Sequence, residues 1–365
     1  MNYLSLPLNL LTSISVKGMP NALIRFVHRR KRSIRSINLE TARTCNLTCV
    51  QCATHSRSSE WNSAHSGAQA ALLSLEVFNT VLPFIDRVEA LNLDNHGEPL
   101  LNPHLEEMIR RARRQAPRLR ITLTSNFMKM TAERSAGLLE AGIDGIQVSV
   151  NGTTAETYEN IMRGASFDRL IDHLSAFDAA RRASPNRLMS FSVCITTMCS
   201  NLHELVDLPS MVAAYGVNCI RVNCLLPFDR RAAAESIYDD PVWSERRDAI
   251  HAETRLRARR LGMVVYIAAV IPGRRKCSFP VRHLSVSYTG DVSPCWMLDL
   301  SPGYNFYYRG KPRSLPWVNF GNLLDRPLTE IWSSDDYTSF RRSFETGHLP
   351  RYCEECPVGM GLICG

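Results

Sequence analysis

The stretch Cys45-Asn46-Leu47-Thr48-Cys49-Val50-Gln51-Cys52 places three cysteines at C-x3-C-x2-C spacing within eight residues. A [4Fe-4S] cluster normally takes one cysteine per iron, about four in all. Three thiolates on one loop leave one iron open to a small molecule, by the logic of a catalytic zinc that keeps one position free. A zinc knuckle is the alternative that the spacing alone leaves standing.

Around that loop the chain alternates short β-branched runs with longer amphipathic stretches. Ser36 to Thr41 reads as a strand feeding the cysteine loop. Ser74 to Asp86 reads as a helix with Ser74 as N-cap and Val77, Val81 and Ile85 at four-residue spacing. Val88 to Asp94 is a strand, and Pro103 to Gln115 a helix with Asn102 as N-cap and proline at its first position. Leu119 to Ser125 is a strand, Ala132 to Ala141 a helix closed by Gly142, and Ile143 to Val150 a strand. A helix running through Ala180, a strand at Met189 to Thr197, a helix at Leu202 to Tyr215 and a strand at Val217 to Leu225 follow. Strands alternating with helices argue for parallel βαβ units, and six are countable.

The 365 residues exceed one ordinary core unless that core is a large α/β barrel, and 45% apolar content excludes global disorder. Residues 1–35 form a basic cap segment, 36–235 the barrel, 236–262 a linker helix and 263–365 a smaller C-terminal domain. The apolar run Leu4 to Val16 is broken by Pro7, Asn9 and serines, so it is neither a membrane span nor a good signal peptide. With twelve clustered cysteines and no such signal, metal ligation is expected in place of disulfides, and the compartment is expected to be cytoplasmic. The net charge of +8 gathers in runs at Arg29 to Arg35, Arg110 to Arg114 and Arg255 to Arg260. These read as solvated helix faces. No aromatic residues interleave with them as on a nucleic-acid stacking surface, so no nucleic-acid partner is expected.

With the flanking Asn46-Leu47, the cysteine loop resembles the signature of radical S-adenosylmethionine (SAM) enzymes, whose open iron chelates SAM. The resemblance implies a partial (β/α)6 barrel, α/β in class, followed by a small α+β SPASM/Twitch domain. His96-Gly97-Glu98-Pro99 resembles the family's GGEP motif: Gly97 lets backbone approach closely, and Glu98 is implied to accept from the methionine ammonium of SAM. Ser125 in Thr124-Ser125-Asn126, and Ser149 and Asn151 in Ser149-Val150-Asn151-Gly152, end strands where the family contacts the ribose and carboxylate of SAM. Strand-end turn chemistry accounts for the same residues. Arg163, in Tyr158 to Gly164, is implied to bind the SAM carboxylate. Gln51 departs from the aromatic residue that the family often places before the third cysteine.

The remaining cysteines divide in two. Cys277, Gly290 and Cys295 at C-x12-G-x4-C, then Cys353 and Cys356 at C-x2-C, resemble the SPASM/Twitch extension. Those four cysteines make one complete auxiliary [4Fe-4S] site, with Cys364 a further possible ligand and a structural zinc the alternative. Cys194, Cys199, Cys219 and Cys224 fall in or just after barrel strands, where a buried cysteine is ordinarily a small hydrophobe. Cys199 and Cys224, near strand C-terminal ends, are candidate hydrogen-atom donors; His55, His65, His96 and Tyr304 to Tyr308 are candidate lining residues.

The resemblance implies reductive cleavage of SAM to a 5′-deoxyadenosyl radical, which abstracts hydrogen from an unactivated C–H bond. A flavodoxin- or ferredoxin-type protein is the expected electron donor. The short segment before the first strand favours a small-molecule substrate, a sugar or aminocyclitol of natural-product biosynthesis, undergoing oxidation, epimerisation or dehydration. A peptide-modifying maturase and a non-enzymatic Fe–S or zinc module are the alternatives.

Overall fold

The computed structural model describes residues 34–59, 71–185, 189–237, 241–267, 277, 279–308 and 310–358. Most of the expected basic cap, His65 and Cys364 lie outside the described residues.

The centre is a nine-stranded sheet in the order β7-β6-β5-β4-β3-β2-β1-β8-β9. Strands β1 (Ser36–Leu39), β2 (Ala90–Asn92), β3 (Arg120–Ser125), β4 (Gly145–Ser149), β5 (Ser190–Thr197), β6 (Cys219–Cys224) and β7 (Val264–Ile267) follow in sequence order, every neighbour parallel. Helices return the chain between them: α1 (Leu75–Val81), α2 (Leu105–Gln115), α3 (Ala132–Ala141), α4 (Ala155–Ile161), α5 (Phe167–Ala183), α6 (Leu208–Ala213), α7 (Arg230–Ala234) and α8 (Pro241–Arg260). This is the partial barrel expected of the βαβ pattern.

The helices form because their apolar residues share one face. In α2, Leu105, Met108, Ile109 and Ala112 are buried, while Glu106 and Glu107 open the helix and Arg113 and Arg114 close it, as the helix dipole favours. The arginine run of α2 is tied down within the fold: Arg111 Nε donates to Glu107 at 2.8 Å, and Arg113 joins Asp144 at 2.5 Å. Ser74 caps α1 by accepting from the Val77 amide at 3.1 Å, and α3 ends at Gly142, as the sequence indicates. The start of α2 lies further on than expected. Asn102 Oδ1 accepts from the His104 amide at 2.8 Å in a tight turn, which leaves Pro103 outside the helix.

Strands β1 to β6 place an apolar residue at every second position. Ile37, Leu39, Leu91, Ile121, Leu123, Ile146, Val148, Phe191, Val193, Ile220 and Val222 are buried in the core. The intervening residues are mostly polar or small and face the concave side, where Asn92 Nδ2 donates to Asn38 Oδ1 at 2.7 Å and Thr122 Oγ1 donates to Asn92 Oδ1 at 2.8 Å.

Two boundaries differ from the sequence reading. The stretch 236–262 is no free linker: α8 packs along α6 and the turn Leu202–Val206. Val264–Ile267 pairs in parallel with β6, so a seventh strand joins the six expected. The C-terminal region begins with α9 (Phe279–Arg282) and β8 (His283–Val286), which pairs in parallel with β1 on the other side of the barrel sheet. Strand β9 (Val292–Ser293) folds back on β8 through a turn at Gly290, whose φ of 92° a side chain would strain. The hairpin β10 (Gly303–Tyr308) and β11 (Lys311–Pro316) and the helices α10 (Leu328–Ser333), α11 (Asp335–Thr346) and α12 (Arg351–Glu354) complete the fold.

Candidate active site

The C-terminal ends of the strands carry the cysteine loop. The amides of Thr48 and Val50 donate to the carbonyls of Arg163 (3.0 Å) and Ile161 (2.9 Å), pinning the loop to the end of α4. Cys52 Sγ receives the His55 amide at 3.3 Å, and Asn126 Nδ2 lies 3.8 Å from Cys45 Sγ. Burial pushes the Cys45 thiol up to about 12 and that of Cys49 well above its ordinary value. Thiolates here need a compensating positive charge, which bound iron supplies.

Gly97 explains how the second motif reaches the first. A Cβ there would stand 2.3 Å from the Ala42 carbonyl oxygen and 2.6 Å from that of Thr44. Only glycine lets the Glu98 amide donate to the Thr44 carbonyl at 3.0 Å, joining the β2 loop to the cysteine loop. Glu98 is itself buried. It accepts from Ser125 Oγ (2.7 Å), the Leu100 amide (3.0 Å) and the Asn126 amide (2.7 Å). Burial pushes its carboxyl up to about 6, against the pull of those donors. Ser125 is spent in this internal network, because its hydroxyl also accepts from the Phe127 amide at 2.9 Å. Phe127 takes a left-handed backbone (φ 67°) that turns the chain so that Asn126 faces the cysteine loop.

Asn151 is likewise committed: its Oδ1 accepts from the Thr196 amide at 2.8 Å and its Nδ2 lies 2.9 Å from Met162 Sδ. Ser149 lies on the concave face with its hydroxyl 3.7 Å from Cys194 Sγ. Arg163 lines a cavity of about 280 Å3 beside the cysteine loop, together with Val50, Gln51, Ile161, Met198 and Leu225. Thus the structure brings Cys45, Cys49, Cys52, Glu98, Ser125 and Arg163 to one rim and places Ser149 inside the barrel.

The proposed hydrogen-atom donors fare differently. Cys199 and Cys224 pack against the hydrophobic core. Cys224 has the strand parity of Ile220 and Val222, and Cys199 Sγ lies 3.8 Å from the Ser236 carbonyl. Neither faces the lumen. The parity of β5 and β6 gives that position to Cys194 and Cys219, which the sequence left as small hydrophobes; Cys219 lines the lumen cavity.

Several residues matter that motif spacing did not single out. The Gln51 Oε1 and the Tyr158 hydroxyl are buried without a hydrogen-bond partner among the described residues. Burial raises the Tyr158 hydroxyl pKa, with nearby Cys49 adding to it. Met162 Sδ stands 3.6 Å from both Cys49 Sγ and Gln51 Nε2. Orphaned polar atoms around three clustered thiols fit a bound cluster and its ligand.

The second cysteine set meets in the C-terminal region. Cys277, Cys295, Cys353 and Cys356 line one cavity whose other walls are Phe279, Pro280, Trp296, Met297, Leu298, Phe344 and Val358. Burial raises the thiols of Cys277, Cys295 and Cys353. Among the described residues no three His, Cys, Asp or Glu side chains gather tightly enough for a single metal ion. Asp299, just beyond Cys295, ties this region to the barrel. It accepts from Asn95 Nδ2 at 2.5 Å, pairs with His96 Nε2 at 2.6 Å and accepts from the Ser285 hydroxyl. His96 is therefore committed to a bridge, and Tyr304 directs its hydroxyl to Met297 Sδ at 3.2 Å.

Family models match this division. Residues 39–199 match the radical SAM superfamily and residues 277–357 the SPASM iron-sulfur cluster-binding domain. The chain is a radical SAM enzyme with a C-terminal SPASM domain. Its cofactors are accordingly a [4Fe-4S] cluster with an open iron, SAM and auxiliary Fe–S chemistry. The radical SAM chain is 22% identical over 333 residues to a tungsten-containing aldehyde ferredoxin oxidoreductase cofactor-modifying protein of Pyrococcus furiosus, covering 88% of this chain and 86% of that one. It is 28% identical over 341 residues to an AdoMet-dependent heme synthase of Methanosarcina barkeri, covering 88% of each. Among solved structures it is similar in fold to native anSMEcpe with bound AdoMet, with TM-score 0.63 and 14% identity over 89% of this chain and 87% of that one. Among the described residues no helix is long and apolar enough to cross a membrane.

Proposed function

We propose that this radical SAM enzyme acts on a hydroxyl-rich small molecule, of the sugar or aminocyclitol class, held in the barrel lumen for oxidation, epimerisation or dehydration. The observation that carries this reading is the lumen itself. Asn92, Asp94, Thr122, Thr124, Gln147, Ser192 and Arg221 line a cavity of about 680 Å3. Such a wall offers many hydrogen bonds, one carboxyl and two guanidinium groups, Arg120 and Arg221, beside a smaller apolar part from Leu123, Ile146, Val264 and Tyr266. Burial raises the Asp94 carboxyl, against bonds from Thr124. A ligand amine at that point favours the charged form and is selected by it.

When bound, the open cluster and SAM supply the 5′-deoxyadenosyl radical that abstracts hydrogen. Cys45, Cys49 and Cys52 would hold the cluster, Arg163 would face the cofactor carboxylate, and Glu98 fixes Ser125 and Asn126 behind the loop. The lumen residues orient the substrate's C–H bond and exclude water. For the epimerisation outcome, a hydrogen atom would return to the substrate radical from a lumen thiol, Cys194 or Cys219, and the thiyl radical left behind would take one electron and a proton to restore the thiol. The auxiliary site, Cys277, Cys295, Cys353 and Cys356, would exchange single electrons.

Likeness to a PqqA peptide cyclase of Rhodopseudomonas palustris, 24% identical over 335 residues, supports a peptide substrate as the second reading. Anaerobically reconstituted protein, with SAM and reductant, is tested against sugars, aminocyclitols and peptides for 5′-deoxyadenosine. The expected result is roughly tenfold or greater stimulation by a polyhydroxylated compound, and Asp94→Asn raising KM more than it lowers kcat. Stimulation by peptides alone overturns the proposal.

A further inference from the structure

The barrel lumen carries more positive charge than its own wall balances. Arg120 opens β3, Arg221 lies in the middle of β6, and both line the lumen cavity with Asp94. Arg221 faces inward because it has the parity of Cys219, opposite to that of the core residues Ile220 and Val222. Its partner in register on β5 is Cys194. Tyr266 of β7, another lining residue, has its ring centre 5.9 Å from the Arg221 guanidinium carbon. A ring face attracts the cation and leaves its N–H donors to other acceptors. Among the described residues neither Arg221 nor Arg120 forms an ion pair, whereas Arg113 and Arg181, on helices outside the barrel, are each paired with an aspartate. Asp94 accepts from Thr124, and burial opposes its charge. Burial pushes the Cys194 thiol up to about 11; the Ser149 hydroxyl and the Arg221 charge pull it down, and Asp94 adds to the rise. These groups therefore share one region of the lumen. A cleft lined by one sign of charge concentrates ligands of the other.

We infer that the substrate held in this lumen carries an anionic group, a phosphate or a carboxylate, whose oxygens accept from the Arg221 guanidinium beside Tyr266. The inference rests on the reading of a hydroxyl-rich substrate and adds to it a charge and a point of attachment. A planar guanidinium offers paired N–H donors that match two oxygens of either anion. Contact with Tyr266 limits the motion of that fork before the ligand arrives, so less freedom is lost on binding. Register with Cys194 puts the anchored end part-way down the barrel, and the rest of the substrate extends toward the strand C-terminal ends, where the cysteine loop lies. Arg120, at the first residue of β3, is at the end of the barrel away from that loop and adds attraction without the grip.

The test uses full-length reconstituted protein with SAM and two matched pairs of probes, glucosamine with glucosamine 6-phosphate and galactose with galacturonate, alongside peptides. Equilibrium dialysis at fixed ionic strength, without reductant, reads binding of each. Wild type is expected to bind the anionic member of at least one pair roughly tenfold or more tightly than the neutral-headed member, and the pair that responds tells phosphate from carboxylate. Arg221→Gln removes the charge and keeps a polar wall. It is expected to bind both members of that pair within about twofold, with the affinity for the unmodified sugar unchanged. Arg120→Gln is expected to keep the preference within about threefold of wild type. Equal or tighter binding of the unmodified sugars by wild type overturns the inference and leaves the hydroxyl-rich reading standing. Binding of peptides with none of the four sugars overturns both. An Arg221→Gln protein that keeps the full preference, or an Arg120→Gln protein that alone loses it, overturns the assignment to Arg221. Should Arg221→Gln fail to fold, Arg221→Lys replaces it: it keeps the charge without the fork and is expected to lose part of the preference, and full retention overturns the grip.

Discussion

The two cysteine sites are built in opposite ways. Cys45, Cys49 and Cys52 come from one short loop, and the barrel supplies everything around it: carbonyls from the end of α4, the Glu98 network and a cavity alongside. Cys277, Cys295, Cys353 and Cys356 come from three separated stretches and meet among aromatic and aliphatic side chains. The first arrangement leaves room for a ligand and rests on a fold that exists without it. The second gathers its thiols from segments that are held to the barrel by the β8–β1 pairing and the Asp299 bridge. A local motif on a strong scaffold suits chemistry, whereas a site assembled from distant segments also acts as a structural clasp.

If that contrast is right, the largest effects come from removing thiols. Replacing Cys45, Cys49 and Cys52 together by alanine should abolish 5′-deoxyadenosine formation, lower iron from about eight to about four per chain and leave the melting temperature of the barrel nearly unchanged. Cys295→Ala should remove a similar amount of iron and also make residues 277–357 protease-sensitive. Equal thermal and proteolytic behaviour of the two variants would break the contrast.

Gly97→Ala comes next. The added methyl must displace the Ala42 and Thr44 carbonyls, at a cost of about 2–4 kcal/mol. First-cluster loading should fall while auxiliary iron stays, as iron counts and EPR would register. Asp299→Ala should cost about 1–3 kcal/mol by leaving Asn95, His96 and Ser285 without their shared acceptor. Its unfolding should separate into two transitions by calorimetry, because it cuts the bridge between the two regions.

The smallest effect belongs to α8, remote from both sites. His251 is buried, its Nε2 has no partner among the described residues, and burial followed by the charges of Arg247 and Arg255 lowers its pKa to about 4. Its folded pKa lies below its unfolded one, so the native state binds fewer protons between these values. Stability is full above about pH 6.5 and is lost as pH falls toward 4. Chemical denaturation should show His251→Gln losing less stability than wild type over that range. An identical slope would remove His251 from the account.

The sequence made much of this legible. The cysteine spacing, the Ser74 cap and the stop at Gly142 are local, so neighbours in sequence carry them. Strand parity was legible in principle too. Applied to β5 and β6, it would have turned attention from Cys199 and Cys224 to Cys194 and Cys219, because one residue of offset sends a side chain to the opposite face. Asp299 gave no signal, because it is an ordinary aspartate that matters through partners about two hundred residues earlier. Gln51 did give one, as the departure from the aromatic residue that the family often places before the third cysteine.

The sequence by itself determined the class of chemistry, the three-thiol loop and the alternation that makes a parallel barrel, since each depends on contacts between near neighbours in the chain. Only the tertiary structure decided that β7 belongs to that barrel, that Gly97 is required by two carbonyls from another loop, and that four distant cysteines share one cavity. Those facts depend on which segments touch across long separations, and pairing of that kind is fixed by packing of the whole chain and not by any stretch of it.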